Sequence, residues 1–237
     1  MMHLYIVRHA EPDYENDTLT AAGELEAKAL AQYLQVQGAD YIYSSPMGRA
    51  LKTMSYTSEL LGIEPRTENW LRELTDLWIE NSPWGYIGVF DIPGEVIRNG
   101  DSFPTHETWH QLNYYQEVQA KERVEEIRRS SDRFLLRHGY ERMDGRYSCI
   151  NPSQDKIVVF CHRAIGLTWL GHLLDIPISL MWSGFWMPPS SVTTVVLEQR
   201  SDRWATPRCI GFGDTSHIFK HDLMLKAKDI HNDCFVK

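Results

Sequence analysis

Apolar residues in the first sixty positions follow two periods in turn. Leu4-Tyr5-Ile6-Val7 is a short continuous apolar run, and residues 3–7 read as a buried strand. Between Asp17 and Gly38, Leu25, Ala29 and Tyr33 recur at i, i+4 and i+8, with Ala22, Leu30 and Leu34 beside them. That spacing predicts an amphipathic helix with Gly38 as its stop. DYIYSS, residues 40–45, reads as a second strand, and SPMGRALKTMSYTSELLG as a second helix. Ser45 suits its N-cap, Pro46 its first turn and Gly62 its C-terminal stop. Strand and helix alternate, which favours a parallel sheet with covering helices.

The pattern breaks from about residue 76 to 104. That stretch is rich in Trp, Gly and Pro and predicts an irregular connection or flap. Residues 105–138 read as one long helical stretch or two, and DGRYSCINPSQD, residues 144–155, as a turn-rich link. KIVVFC, residues 156–161, is the strongest strand in the chain, a continuous apolar run of the kind found in central parallel strands. HRAIGLTWLGHLL then reads as a turn and a helix, and strands over 192–198 and 203–211 finish the core. The expected organisation is one α/β domain over residues 1–219, with a helical and irregular insertion at about 76–150 serving as a lid. A polar tail covers 220–237.

Composition narrows this. The 237 residues are 43% apolar and 24% charged, enough to build an ordinary core. The net charge of −8 argues against nucleic acid as a partner but not against a small anion held by a local cationic cluster. Cys149, Cys161, Cys209 and Cys234 form no Cys-x-x-Cys pair. With no leader-like segment at the start, free thiols in the cytoplasm are the expectation. Apolar runs such as Ile157–Cys161 are too short to cross a membrane.

The chemistry lies at the strand ends. The first strand stops at Arg8-His9, and the strongest one at Cys161-His162-Arg163. In parallel sheets ligands bind beyond the carboxyl ends of the strands, so two histidines are delivered to one edge. Helix N-termini face the same edge and favour anions, and Arg49, early in the second helix, points there too. Arginine forks onto two phosphate oxygens, so this cluster reads as a phosphate site. Imidazole can also carry a phosphoryl group covalently, which splits one displacement into two easier ones. The leaving oxygen then needs a proton, and Glu73 in WLRELTD offers a carboxyl group for that.

Several motifs occur in order. Arg8-His9-Ala10 resembles the Arg-His-Gly motif of the histidine phosphatase superfamily, which includes the phosphoglycerate mutases. LTAAGELEAKALAQYL, SSPMGRALKT, LREL and VVFCHRAIG resemble four further blocks of that family, so the likeness runs from residue 4 to about 217. It implies a three-layer α/β/α fold with a mainly parallel central sheet. It also implies a metal-independent phosphomonoester hydrolase without cofactor, acting on a small phosphorylated metabolite. His9 would accept the phosphoryl group. Arg8, Arg49 and His162 would bind its oxygens, and Glu73 would serve as acid and base. The expected partners are the substrate and a second copy of the chain, with neither nucleic acid nor membrane.

The chain departs from the family at Ala10, where glycine is usual. EPDYEN replaces another conserved block, so Asn16 is given no phosphate contact. Arg163 follows the second histidine and is either a further pocket residue or a surface one. His217, in GDTSHIF, is a candidate pocket residue. A phosphoglycerate-type mutase and a non-catalytic phospholigand binder are the rival readings. His106-Glu107-Thr108-Trp109-His110 matches the His-Glu-x-x-His zinc pattern at the start of an expected helix, and a zinc peptidase is the remote third.

Overall fold

The computed structural model describes residues 1–100 and 103–224. The chain opens with β1 (His3–Arg8), a small ribbon of β2 (Pro12–Asp13) and β3 (Thr18–Leu19), α1 (Ala21–Gln37), β4 (Tyr41–Ser44), α2 (Gly48–Leu61) and β5 (Arg66–Thr67). A hairpin of β6 (Trp78–Ser82) and β7 (Gly85–Gly88) follows, then α3 (Gly94–Arg98), α4 (Asn113–Glu117) and α5 (Ala120–Arg137). The last third holds β8 (Tyr140–Met143), β9 (Arg146–Cys149), β10 (Lys156–Cys161), α6 (Arg163–Leu173), α7 (Ile178–Gly184), β11 (Val192–Gln199), β12 (Trp204–Asp214) and α8 (Ser216–Lys220).

Eight strands form one mixed sheet in the order β5-β4-β10-β1-β11-β12-β9-β8. From β5 to β1 neighbouring strands are parallel, and from β1 to β8 they are antiparallel. The parallel half is the one read from the sequence, and β10 sits at its centre, between β1 and β4. Side chains alternate across the sheet. Tyr5, Val7, Ile42, Val158 and Phe160 pack with Leu30 and Leu34 of α1 and Met54 of α2. Leu4, Ile6, Tyr43, Ile157 and Val159 join the opposite core with Phe134 of α5 and Trp169 of α6. Strand side chains point to opposite faces in turn, so a run apolar at every position needs helices on both faces. This is the expected three-layer α/β/α fold. Each buried Val, Leu, Ile or Phe contributes roughly 1.5–3 kcal/mol.

Capping explains both ends of α1 and the C-terminal end of α2. Thr20 caps α1 by accepting the Gly23 N–H at 3.0 Å, and Gly38 stops it at φ 79°. Gly62 ends α2 in the left-handed conformation at φ 67°. The start of α2 differs from expectation: its N-cap is Met47, with no side-chain cap bond, and neither Ser45 nor Pro46 belongs to the helix. Ser45 is drawn into another contact, described below.

Three further expectations need correction. The stretch expected to be irregular holds the β6–β7 hairpin, and Leu77, Ile79, Val89, Phe90 and Ile92 are buried in the core that contains Trp169 and Trp182. The expected turn-rich link contains β9, which pairs with β8 and with β12 and so extends the sheet. Asp144-Gly145 joins β8 to β9, with Asp144 at φ 57°. An Asp-Gly pair is a hairpin signal that the link reading passed over. Residues 106–110 are turns rather than helix, and His106 Nε2 lies 2.9 Å from the Asp175 carbonyl. The helical setting required by a His-Glu-x-x-His zinc site is therefore missing. Cys234 and most of the tail expected over 220–237 lie outside the described residues.

Candidate active site

β1, β10 and β4 end side by side, and the residues following them converge. His9 follows β1, His162 follows β10 and Ser45 follows β4. All three are almost wholly buried, as are Arg8 and Arg49. The His9 and His162 rings lie 5.1 Å apart between centroids.

The state of His9 follows from its two neighbours. Nδ1 lies 2.8 Å from the Ala10 carbonyl oxygen, which can only accept, so Nδ1 carries the hydrogen. Nε2 lies 3.3 Å from Arg49 Nε, whose N–H can only donate, so Nε2 presents its lone pair. Burial, then the charges of Arg8 and Arg49, hold the imidazole well below its ordinary pKa. The ring is neutral at neutral pH, with a nucleophilic nitrogen facing a guanidinium. Ala10 is held by its own N–H, which donates to Thr53 Oγ1 at 3.0 Å, and it is not among the residues of positive φ. Glycine is therefore not required there.

His162 is the N-cap residue of α6. Its Nε2 lies 2.8 Å from Ser45 Oγ, while Nδ1 is buried without a protein hydrogen-bond partner. Burial, then the neighbouring His9 and Arg49, lowers its pKa well below the ordinary value. A buried nitrogen left without a partner costs free energy unless a ligand supplies one.

Arg8 Nη1 donates to the Met187 carbonyl at 2.7 Å. Arg49 donates from Nη1 to Asp17 Oδ1 at 2.6 Å, and its guanidinium lies 5.4 Å from the centre of the Tyr14 ring. Glu73 reaches the beginning of α6. Its carboxylate accepts the N–H groups of Ala164 at 3.2 Å and Ile165 at 3.1 Å, besides its own neighbour Leu74 at 3.1 Å. The fold thus brings His9, His162, Arg8, Arg49 and Glu73 to one edge of the sheet.

Arg163 and His217 stand differently. Arg163 donates from Nη2 to Asp91 Oδ2 at 2.7 Å and lies over the Phe90 ring, so it links α6 to the insertion. His217 is buried with Nε2 3.3 Å from Ser190 Oγ, and the Ser190 N–H donates to the His9 carbonyl at 3.0 Å. It meets His9 through Ser190, not directly. Burial, only partly opposed by Asp214, lowers its pKa to about 4. Asn16 bonds to Asp13 at 2.8 Å in an exposed turn. Asp17 and Ser45 are the site residues that sequence reasoning passed over. Ser45 stood inside a quoted motif block. Asp17 carried no signal.

Residues 4–78 match the family model of the histidine phosphatase superfamily (branch 1), a stretch that holds four of the five motif blocks and not VVFCHRAIG. A protein named as a phosphoserine phosphatase in Hydrogenobacter thermophilus is 36% identical over 84 residues, 32% of this chain and 41% of that protein. One named as a phosphoglycerate mutase in Serratia proteamaculans is 32% identical over 83 residues, 31% of this chain and 39% of the other. The match thus spans about two fifths of the length of these relatives. Over the fold, the phosphoserine phosphatase of Entamoeba histolytica in complex with 3-phosphoglyceric acid superposes with a TM-score of 0.63 at 20% identity, covering 92% of this chain and 100% of that one. A mycobacterial glucosyl-3-phosphoglycerate phosphatase gives 0.55 at 14% identity, covering 89% and 98%. These two solved phosphatases share the fold of this chain.

Proposed function

We propose that the chain hydrolyses phosphomonoesters of small metabolites through a phosphohistidine on His9. The observation that carries this reading is the His9 tautomer: Nδ1–H is fixed on the Ala10 carbonyl, and the Nε2 lone pair is turned into a cationic, buried site. Nε2 attacks phosphorus in line with the ester oxygen, and the bond from phosphorus to that oxygen breaks. Arg8, Arg49 and His162 hold the remaining phosphoryl oxygens as charge moves across them, the role a metal takes elsewhere. Glu73, entering the step as the protonated acid, hands its proton to the leaving oxygen and is left as the carboxylate. It then takes one from a water that attacks the phosphohistidine, freeing phosphate and His9. The insertion caps the site, a reading supported by the Asp91–Arg163 pair beside His162.

A free metabolite as substrate accords with a cytoplasmic setting. Cys149, Cys161 and Cys209 are free thiols, and no helix among the described residues is long and apolar enough to cross a membrane. Phosphoserine and phosphoglycerates, named for the relatives and neighbours, head the substrate screen.

The test is hydrolysis of an aryl phosphate in excess chelator by the wild type and by His9→Ala. Chelator-resistant turnover that disappears in the variant supports the reading, and undiminished turnover by the variant sinks it. A phosphoglycerate-type mutase is the second reading, favoured by the match to proteins named as phosphoglycerate mutases. Transfer of the phosphoryl group to a second hydroxyl in preference to water would decide for it.

A further inference from the structure

Arg49 is held from two sides, and one of the holders has no part in the mechanism above. Its Nε–H faces His9 Nε2 at 3.3 Å, while Nη1 is bonded to Asp17 Oδ1 at 2.6 Å. The second oxygen of Asp17 accepts the Gly48 N–H at 2.7 Å, at the first residue of α2. One carboxylate thus ties the start of the helix to the guanidinium that the same helix carries. The loop is built for this. Asp17 adopts a left-handed φ of 46°, and a Cβ at position 48 would lie 2.1 Å from the Asp17 carbonyl oxygen, so only glycine lets the two segments approach.

A guanidinium offers two flat edges, one formed by Nε with Nη2 and the other by Nη1 with Nη2. With one hydrogen of Nη1 committed to Asp17, the edge whose two nitrogens both stay clear of a carboxylate is Nε with Nη2, the edge beside His9 Nε2. Nη2 faces the Met47 sulfur at 3.7 Å, a weak acceptor that a phosphoryl oxygen outcompetes. The Asp17 side chain is 46% exposed and the Arg49 side chain 7%, so the carboxylate stands at the rim with the cation inside. Burial opposes charge on Asp17, but the Gly48 N–H and Arg49 hold its carboxyl below the ordinary value.

We propose that Asp17 is the positioning residue of the phosphate site: it pins Nη1 of Arg49 so that the Nε–Nη2 edge meets the phosphoryl group at His9. This rests on the phosphohistidine reading for its chemistry, though phosphate binding alone suffices to test it. Asp17 acts through Arg49. A carboxylate touching the phosphoryl oxygens would repel them, whereas one behind the guanidinium aligns the cation without meeting the anion.

The experiment is calorimetric titration of the wild type, Asp17→Ala, Asp17→Asn, Arg49→Ala and the Asp17→Ala/Arg49→Ala double variant with inorganic phosphate, with aryl phosphate kinetics alongside. Asp17→Ala is expected to weaken phosphate binding at least ~10-fold, and Asp17→Asn, which keeps an acceptor, by less. In the Arg49→Ala background the same substitution should change binding by under ~2-fold, because its intermediary is gone. Equal losses with and without Arg49 would overturn the proposal and leave Asp17 a helix cap alone, as would Asp17→Ala and Asp17→Asn both binding phosphate like the wild type. Should Asp17→Ala fail to fold, Asp17→Asn carries the same cycle. A wild type that binds phosphate but turns over no ester would defeat the hydrolase reading and leave the Asp17 result standing. A wild type that does not bind phosphate would defeat both.

Discussion

Ser45 Oγ stands 2.8 Å from His162 Nε2 although the two residues are 117 positions apart in the chain. The Met47 N–H occupies one lone pair of that hydroxyl at 3.3 Å, leaving its hydrogen free for His162. If Ser45 donates to Nε2, the imidazole hydrogen sits on Nδ1, the buried nitrogen that has no protein partner. In that tautomer a neutral His162 is a hydrogen-bond donor for a phosphoryl oxygen, with its proton placed by a serine at the end of another strand.

Ser45→Ala should therefore release the tautomer and weaken that donor. The expected loss in kcat/KM for an aryl phosphate is about tenfold, close to 1.4 kcal/mol of transition-state stabilisation. Steady-state kinetics beside a thermal melt would check it. A wild-type kcat/KM in a normally folded variant would mean that Ser45 does not set the donor.

The pH dependence of turnover has a definite sign. His9 must be unprotonated to attack, and burial with Arg8 and Arg49 holds its pKa well below 6.5. As pH falls through 6.5 the nucleophile stays competent, so kcat/KM, corrected for the substrate's own ionisation near ~6, should stay level there. Arg49→Met removes one cationic neighbour and should move the acid limb to higher pH. A wild-type limb centred near 6.5 would contradict the buried, neutral His9.

Folding stability should also decline on acidification. Burial lowers His138 and His217 to about 4, from an unfolded value of 6.5. Below 6.5 the unfolded chain takes up protons that the folded chain refuses, so stability present above 6.5 is lost as pH falls toward about 4. Urea unfolding at several pH values would show it. His217→Gln should flatten the dependence, and an unchanged slope in that variant would remove His217 from the account.

Gly139 joins α5 to β8 at φ 87°, and a Cβ there would lie 1.9 Å from the Asn151 carbonyl oxygen. Gly139→Ala meets both backbone strain and a clash with main chain, and should cost roughly 2–4 kcal/mol of stability. Chemical denaturation would measure it. A midpoint like that of the wild type would mean that the α5–β8 junction gives way easily.

The legible parts of the site are those that short stretches specify. Arg8 and His9 end one apolar run and His162 follows another, so parallel pairing of β1 with β10 was enough to place them on one edge. Arg49 came from its place early in a helix, and Glu73 from its motif. Ser45 was misjudged because Ser-Pro before a helical pattern is a strong local capping signal. The tertiary contact with His162 overrode it.

By itself the sequence determined the order of β1, α1, β4 and α2, the central place of β10 and the identity of the cationic cluster, because periodicity and strand ends are properties of neighbouring residues; the β2–β3 ribbon between β1 and α1 was not legible. Tertiary structure alone decided the antiparallel half of the sheet and the packing of the β6–β7 hairpin into the core. It also decided the partners of Arg49 and His162. Those depend on which segments meet across 32 and 117 positions of chain. The physical reason is that a hydrogen bond between distant side chains exists only once the backbone register is set. No local preference of Asp17 or Ser45 encodes it.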